Sequence, residues 1–182
     1  MGKIAFRDRP LAFTDVETTG TDWLRHEIIE IGLVVADQRT LAVIDELDIK
    51  VRPALIELAE PRALEVNGYR PEDWLDAVPL REAMTVYSAK AAGAIFMAHN
   101  AVFDWPFIQM AFRQTGVANL MDYHGLCTMS MAWCKLRDTD LRGLSLKDVA
   151  PYLGVPPEPP VHRAINGART AYEVFKRLAG LP

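Results

Sequence analysis

Cysteine is scarce in this sequence, with only Cys127 and Cys134. They match no zinc-binding spacing. On one helix, their seven-residue separation would be about 10 Å along the axis, too far for a disulfide. They read as reduced core thiols of a cytoplasmic protein. Long apolar runs are missing from the opening "MGKIAFRDRP", so neither a signal peptide nor a membrane span is indicated. Basic charge is short too. Lys and Arg number 20 against 24 Asp and Glu, a net charge of -4, which argues against a general nucleic-acid coat. A nuclease is not excluded, because carboxylates gathered around metal ions are locally neutralised once loaded. No repeat and no linker divides the chain, so residues 1–182 are expected to form one domain.

What is present alternates in recognisable periods. "PLAFTDV", "EIIEIGLVVAD" and "LAVIDELDIKVRP" read as three strands, the last as an edge-proximal antiparallel strand with one face wetted. "PRALEVNGY" reads as a short helix stopped by Gly68. "PLREAMTVYSAKAAG" follows as a helix and "AIFMAHN" as a strand. "FDWPFIQMAFRQTG" is expected to be a helix starting near Phe103, since Pro106 is tolerable only in a first turn. "CTMSMAWCKL" and "SLKDVAPYLG" read as helices, "GVPPEPPV" as a stiff loop, and "HRAINGARTAYEVFKRLAG" as a terminal helix. This order suggests a mixed sheet flanked by helices.

Three segments carry groups with chemistry. In "FTDVETTG", Asp15 and Glu17 stand two apart on a strand and so project from the same face. The turn "TTG" would offer free backbone N–H groups beside them. Paired acids repel and resist losing water, so a divalent cation is one reading and a plain surface pair at a strand end is the other. In "MAHNAVFDWPF", Asn100 or Asp104 can simply cap the following helix, and Phe103 and Phe107 are core-facing candidates, with Phe103 also able to touch a ligand. In "VHRAINGARTAYEV", His162 precedes the last helix, where a lone histidine is commonly a cap or a surface residue. Arg137, Arg142 and Lys147 are either solvated charges or followers of a phosphate backbone.

Taken in order, the three segments resemble the motifs of the DEDD-type 3′–5′ exonucleases. The likeness is to the histidine-bearing branch that includes bacterial polymerase III proofreading subunits and ribonuclease T, and it spans Leu11 to about Phe175. The resemblance implies a ribonuclease H-like fold, α/β, with a mixed five-stranded sheet flanked by helices. It also implies two-metal-ion hydrolysis of nucleic-acid 3′ ends to 5′-mononucleotides. Asp15, Glu17 and Asp104 would then be metal ligands for two Mg²⁺ ions, with Mn²⁺ a substitute. His162 would be the general base, since a free imidazole titrates near neutrality. Thr18, Thr19, Gly20, Asn100 and Phe103 would line one substrate cleft. Implied partners are single-stranded or frayed DNA or RNA 3′ ends and a polymerase or repair complex, with no membrane.

The third motif departs from the family. Five residues after His162 stands Gly167, not the Asp that serves as fourth metal ligand. Asn166 is neutral and turned by about 100° around the helix, a poor replacement. Three explanations follow: natural loss, leaving a weakened nuclease or an inactive end-binding module; an introduced change in an active enzyme; or rescue by another acid such as Glu158. Loss is favoured over rescue, because the proline-rich loop would have to bend back accurately. On that reading, restoring Asp at 167 should raise activity.

Overall fold

The computed structural model describes residues 4–181. Strands β1 (Leu11–Thr18), β2 (Ile28–Ala36) and β3 (Val43–Lys50) pair antiparallel, while β4 (Ile95–Ala98) and β5 (Gly125–Cys127) add in parallel on the other side of β1. The sheet order is β3-β2-β1-β4-β5, the five-stranded mixed sheet expected. Composition explains the places. Every residue of the Ile- and Val-rich β2 is buried, as a strand covered on both faces requires. In contrast, β3 lies at the edge with only Leu47 buried, and its exposure does not follow the strict alternation expected from its sequence.

The helices are α1 (Pro61–Asn67), α2 (Leu80–Lys90), α3 (Ala101–Thr115), α4 (Thr128–Leu136), α5 (Leu146–Tyr152) and α6 (Ala164–Ala179). Helices α2 and α3 cover one face of the sheet, packing Met84, Tyr87, Phe107 and Ile108 on Ala12, Val16, Ile31 and Leu33. On the other face, α6 sets Ile165, Ala168 and Tyr172 against Leu11, Phe13 and Val34. Phe13 is wholly buried between Tyr172 and Phe175, with ring centroids 5.4 Å away in each case. Burying such a side chain stabilises by about 1.5–3 kcal/mol, and each ring pair adds about 0.5–1.5 kcal/mol. Helices α4 and α5 close over the outer side of α6 through Leu136, Val149, Val174 and Leu178.

Sheet register seats α6. Gly32 lies opposite Asp15, and a β-carbon there would come 2.1 Å from the Ala164 backbone. Only glycine lets the first turn of α6 lie flat on β2. The Ala164 N–H then donates to the wholly buried Glu30 carboxylate at 3.2 Å. Gly32→Ala is therefore expected to cost about 1–3 kcal/mol of overpacking. That would lower the melting temperature by roughly 2–4 °C per kcal/mol in a chain of this size. Thermal denaturation checks it, and an unchanged midpoint would mean that α6 lifts off freely.

Some expectations need correction. Helix α3 starts at Ala101, not Phe103, and Pro106 is its sixth residue. The carbonyl this proline leaves without a donor belongs to Val102, whose residue is 80% exposed and open to water. The "CTM" region is not all helix, because the three residues of β5 end at Cys127 before α4 begins. Cys127 and Cys134 are both free, but they are not core thiols: Cys134 is exposed and Cys127 only half-buried. Gly68 does end α1, at a left-handed φ of 59°.

Candidate active site

Asp15 and Glu17 project from the face of β1 that α6 covers, with Gly32 and Glu30 directly across on β2. The pairing slips between Glu17 and Thr18, and the chain leaves the sheet. That exit is pinned on every side. Thr18 Oγ1 donates to the Gly20 carbonyl, and Asn67 Nδ2 donates to the Thr18 carbonyl. The Thr19 N–H donates to Glu27 O at 2.8 Å, so it is not the free donor expected.

Asp104 arrives from α3 and is 2% exposed. Its Oδ1 accepts from the N–H of Val16, the residue between the two acids, at 3.1 Å. This bond fixes the helix to the acid-bearing strand. Asp104 is thus no cap, and neither is Asn100, which starts α3 in a left-handed conformation without a capping side-chain bond. His162 stands exposed on the loop before α6, its Nδ1 4.0 Å from Glu17 Oε1.

Two clefts meet at Asp15 and His162. One, of about 420 Å³, is lined by Asn100, Ser145, Lys147, Glu158 and Thr170. The other, of about 320 Å³, is lined by Glu17, Thr18, Gly20, Asn67 and Phe103. The single cleft expected is therefore divided, with Asn100 and Phe103 on opposite sides. Thr19 lines neither, because its hydroxyl accepts from the Glu27 N–H. Phe103 also packs on Phe107, their ring centroids 5.3 Å apart, so it serves the core and the cleft together.

The carboxylates hold their protons strongly. Burial first, then Asp104, Glu17, Glu158 and Glu30, raises Asp15 well above the usual carboxylate range. Burial, followed by Glu30, Glu158 and Asp104, lifts Glu17 to about 8 against the opposing pull of Arg163. Burial brings Asp104 to about 7 despite the bonds it accepts from Val16 and from its own N–H.

An exonuclease family model, of the ribonuclease T type, matches residues 12–175. The chain belongs to this exonuclease family. Among relatives, a PolC-type DNA polymerase III of Thermotoga petrophila is 29% identical over 95% of the chain but only 12% of its own length. Protein NEN2 of Arabidopsis thaliana is 30% identical over 93% of the chain and 35% of its own. The chain thus spans a minor part of the relatives it matches. In fold it is similar to E. coli Exonuclease I in complex with a dT13 oligonucleotide, with a TM-score of 0.81 at 15% identity, covering 95% of this chain and 41% of that one. The ribonuclease H-like fold implied by the motifs is the fold observed.

Within the exonuclease fold, all three motifs converge as β1, the start of α3 and the loop before α6. Among the described residues, no three His, Cys, Asp or Glu side chains are gathered into a ready-made ion site. At Gly167 a β-carbon would fall 2.5 Å from Asp15 Oδ2. The Asp15 carboxylate has turned into the space that a side chain at 167 would fill. An Asp at 167 would therefore have to displace the Asp15 carboxylate as well as add one of its own. The donor set nonetheless fits a divalent cation. It consists of hard carboxylate oxygens whose charges act on one another, and Glu30 Oε1 and Glu158 Oε1 are buried without a hydrogen-bond partner.

Three residues at the site escaped the sequence reading. Glu30 interrupts an isoleucine-rich buried strand, a signal available in "IIEIG". Asn67, the last residue of α1 before the Gly68 stop, holds the Thr18 carbonyl. Arg163 donates to Asn67 O and stands 3.7 Å from Glu30, tying the α6 start to α1. Lys147 reaches the first cleft, while Arg137 pairs with Asp138 away from it. Among the described residues, no helix is long and apolar enough to cross a membrane.

Proposed function

We propose that this chain is a 3′–5′ exonuclease domain that shortens single-stranded or frayed DNA or RNA ends and releases 5′-mononucleotides. The observation that carries the reading is that three distant segments converge: Asp15 and His162 stand where two clefts meet, Glu17 lines one of those clefts, and Asp104 is bonded to the Val16 N–H between the two acids. Asp15, Glu17 and Asp104 would hold two Mg²⁺ ions, or Mn²⁺ in their place. Bound there, the ions supply an activated water and neutralise phosphate charge. His162, free on its loop, takes the proton of the attacking water. The backbone at Thr18 and Gly20 fixes the terminal nucleotide, Phe103 offers a ring for base stacking, and Asn100 and Lys147 guide the preceding phosphates.

Binding of a dT13 oligonucleotide by Exonuclease I supports a single-stranded substrate, and the PolC-type relatives support service beside a polymerase. A cytoplasmic setting belongs to the same proposal and is in keeping with the free Cys127 and Cys134. The whole of residues 1–182 would act as one domain. Gly167 favours a second reading, an inactive module of this fold that grips ends without cutting. A 5′-labelled oligonucleotide with Mn²⁺ separates the two. The proposed activity produces a ladder shortening from the 3′ end that EDTA stops. Binding without shortening would establish the inactive module, and cutting of a closed circle would contradict both.

A further inference from the structure

We propose that Glu158 replaces the acid missing at position 167, reaching from the proline-rich loop to join Asp15 as a ligand of the divalent cation. This rests on the exonuclease reading above and names a ligand that the family motif does not supply. The sequence favoured loss over such a rescue, because the proline-rich loop would have to bend back accurately, and the position of Glu158 supports the rescue. Glu158 lines the same cleft as Asp15 and His162. It is also close enough to Asp15 and Glu17 to raise the proton affinity of both, while His162 acts on it in return.

Its surroundings are polar on one side and empty on the other. Thr170, one turn beyond Gly167 on the same side of α6, lines the cleft with Glu158 and eases its ionisation. The Glu158 Oε1 atom is buried with no hydrogen-bond partner. A buried carboxylate oxygen left without a donor is costly, and a cation shared with Asp15 would satisfy it. The loop is built for such a task. Pro156, Pro157, Pro159 and Pro160 flank the acid and fix its backbone, which reduces the entropy lost on holding it in place. Val155 is buried at one end, and the His162 N–H donates to Val66 O at the other.

Gly167 then has a reason. With a side chain at 167, the Asp15 carboxylate could not occupy its present place, and a further acid would crowd the one that the loop brings in. Glycine at 167 and glutamate at 158 form one compensated change.

The test is calorimetric titration of the metal-free protein with Mn²⁺, comparing the wild type with Glu158→Gln and Asp15→Asn. Asp15→Asn should abolish binding, and Glu158→Gln should weaken it by about tenfold or more, the scale typical for partners of a metal site. Circular dichroism establishes that each variant is folded. If Glu158→Gln does not fold, Glu158→Asp serves instead, since it keeps the charge but shortens the reach and should also bind Mn²⁺ more weakly. Wild-type affinity in the Glu158 variant, with binding lost in Asp15→Asn, would overturn the role of Glu158 and leave the exonuclease reading intact. Wild-type affinity in both variants would overturn the two together.

Discussion

Asp15→Asn is expected to abolish nuclease turnover while making the metal-free protein more stable. The carboxylate at 15 lies among Asp104, Glu17, Glu158 and Glu30, and burial and these charges together raise its proton affinity. An unfolded aspartate ionises near pH 4 (about 3.9). Above that pH the folded state binds more protons than the unfolded one, so stability falls as pH rises. Glu17, at about 8, and Asp104, at about 7, extend the loss toward mildly alkaline pH. In EDTA the wild-type melting temperature should therefore decline from acid to mildly alkaline pH, and Asp15→Asn should decline less. With Mn²⁺ added the order should reverse, because only the wild type gains from binding. Losing several kcal/mol of transition-state charge stabilisation corresponds to a rate lower by on the order of 10³-fold. Initial rates on a 5′-labelled strand and melting curves with and without EDTA check both halves. A variant that cuts at close to the wild-type rate would remove Asp15 from the chemistry.

His162→Ala should lower kcat by about 10²–10⁴-fold, the usual contribution of a general base, with little change in KM. The side chain is 51% exposed, and its ring lies 4.0 Å from Glu17 Oε1. No described side chain fills its role when it is removed, since His99 donates and accepts within the fold, bonded to Thr128 Oγ1 and Leu144 O. Added imidazole should restore part of the rate by entering the vacated cleft, and it should do nothing for Asp15→Asn. A fall in kcat of less than about tenfold would mean that water loses its proton to another group.

The acid pair was legible because a strand repeats every two residues, so Asp15 and Glu17 had to share a face. The buried β2 was legible in its run of Ile and Val, and the edge position of β3 in its mixture of apolar and charged residues, although its exposure does not alternate. Asp104 was readable only through the motif, since an acid in the first turn of a helix looks the same whether it caps or faces a neighbouring strand. What decides between them is the Val16 N–H, 88 positions away. The strand β5 was too short for any period to show. Gly32 and Gly167 carried no local signal at all, because what each accommodates, the Ala164 backbone and the Asp15 carboxylate, belongs to a distant segment. The place of Glu158 in the cleft was hidden for a related reason: prolines state that a loop is stiff, but not where it points.

The seating of α6 on Gly32 also sets an order of events in time. The bond that docks its first turn joins residues 134 positions apart, from Ala164 to Glu30. Contacts so distant along a chain form late, because the entropy of closing the loop must be met before they return anything. Synthesis delivers Asp15 and Glu17 well before Glu158, His162 and α6. On the proposed reading the acids of β1 therefore wait without their base until α6 settles on Gly32. Cutting power would then arrive at once rather than by degrees, so the domain would be harmless to nearby nucleic acid until its fold closes.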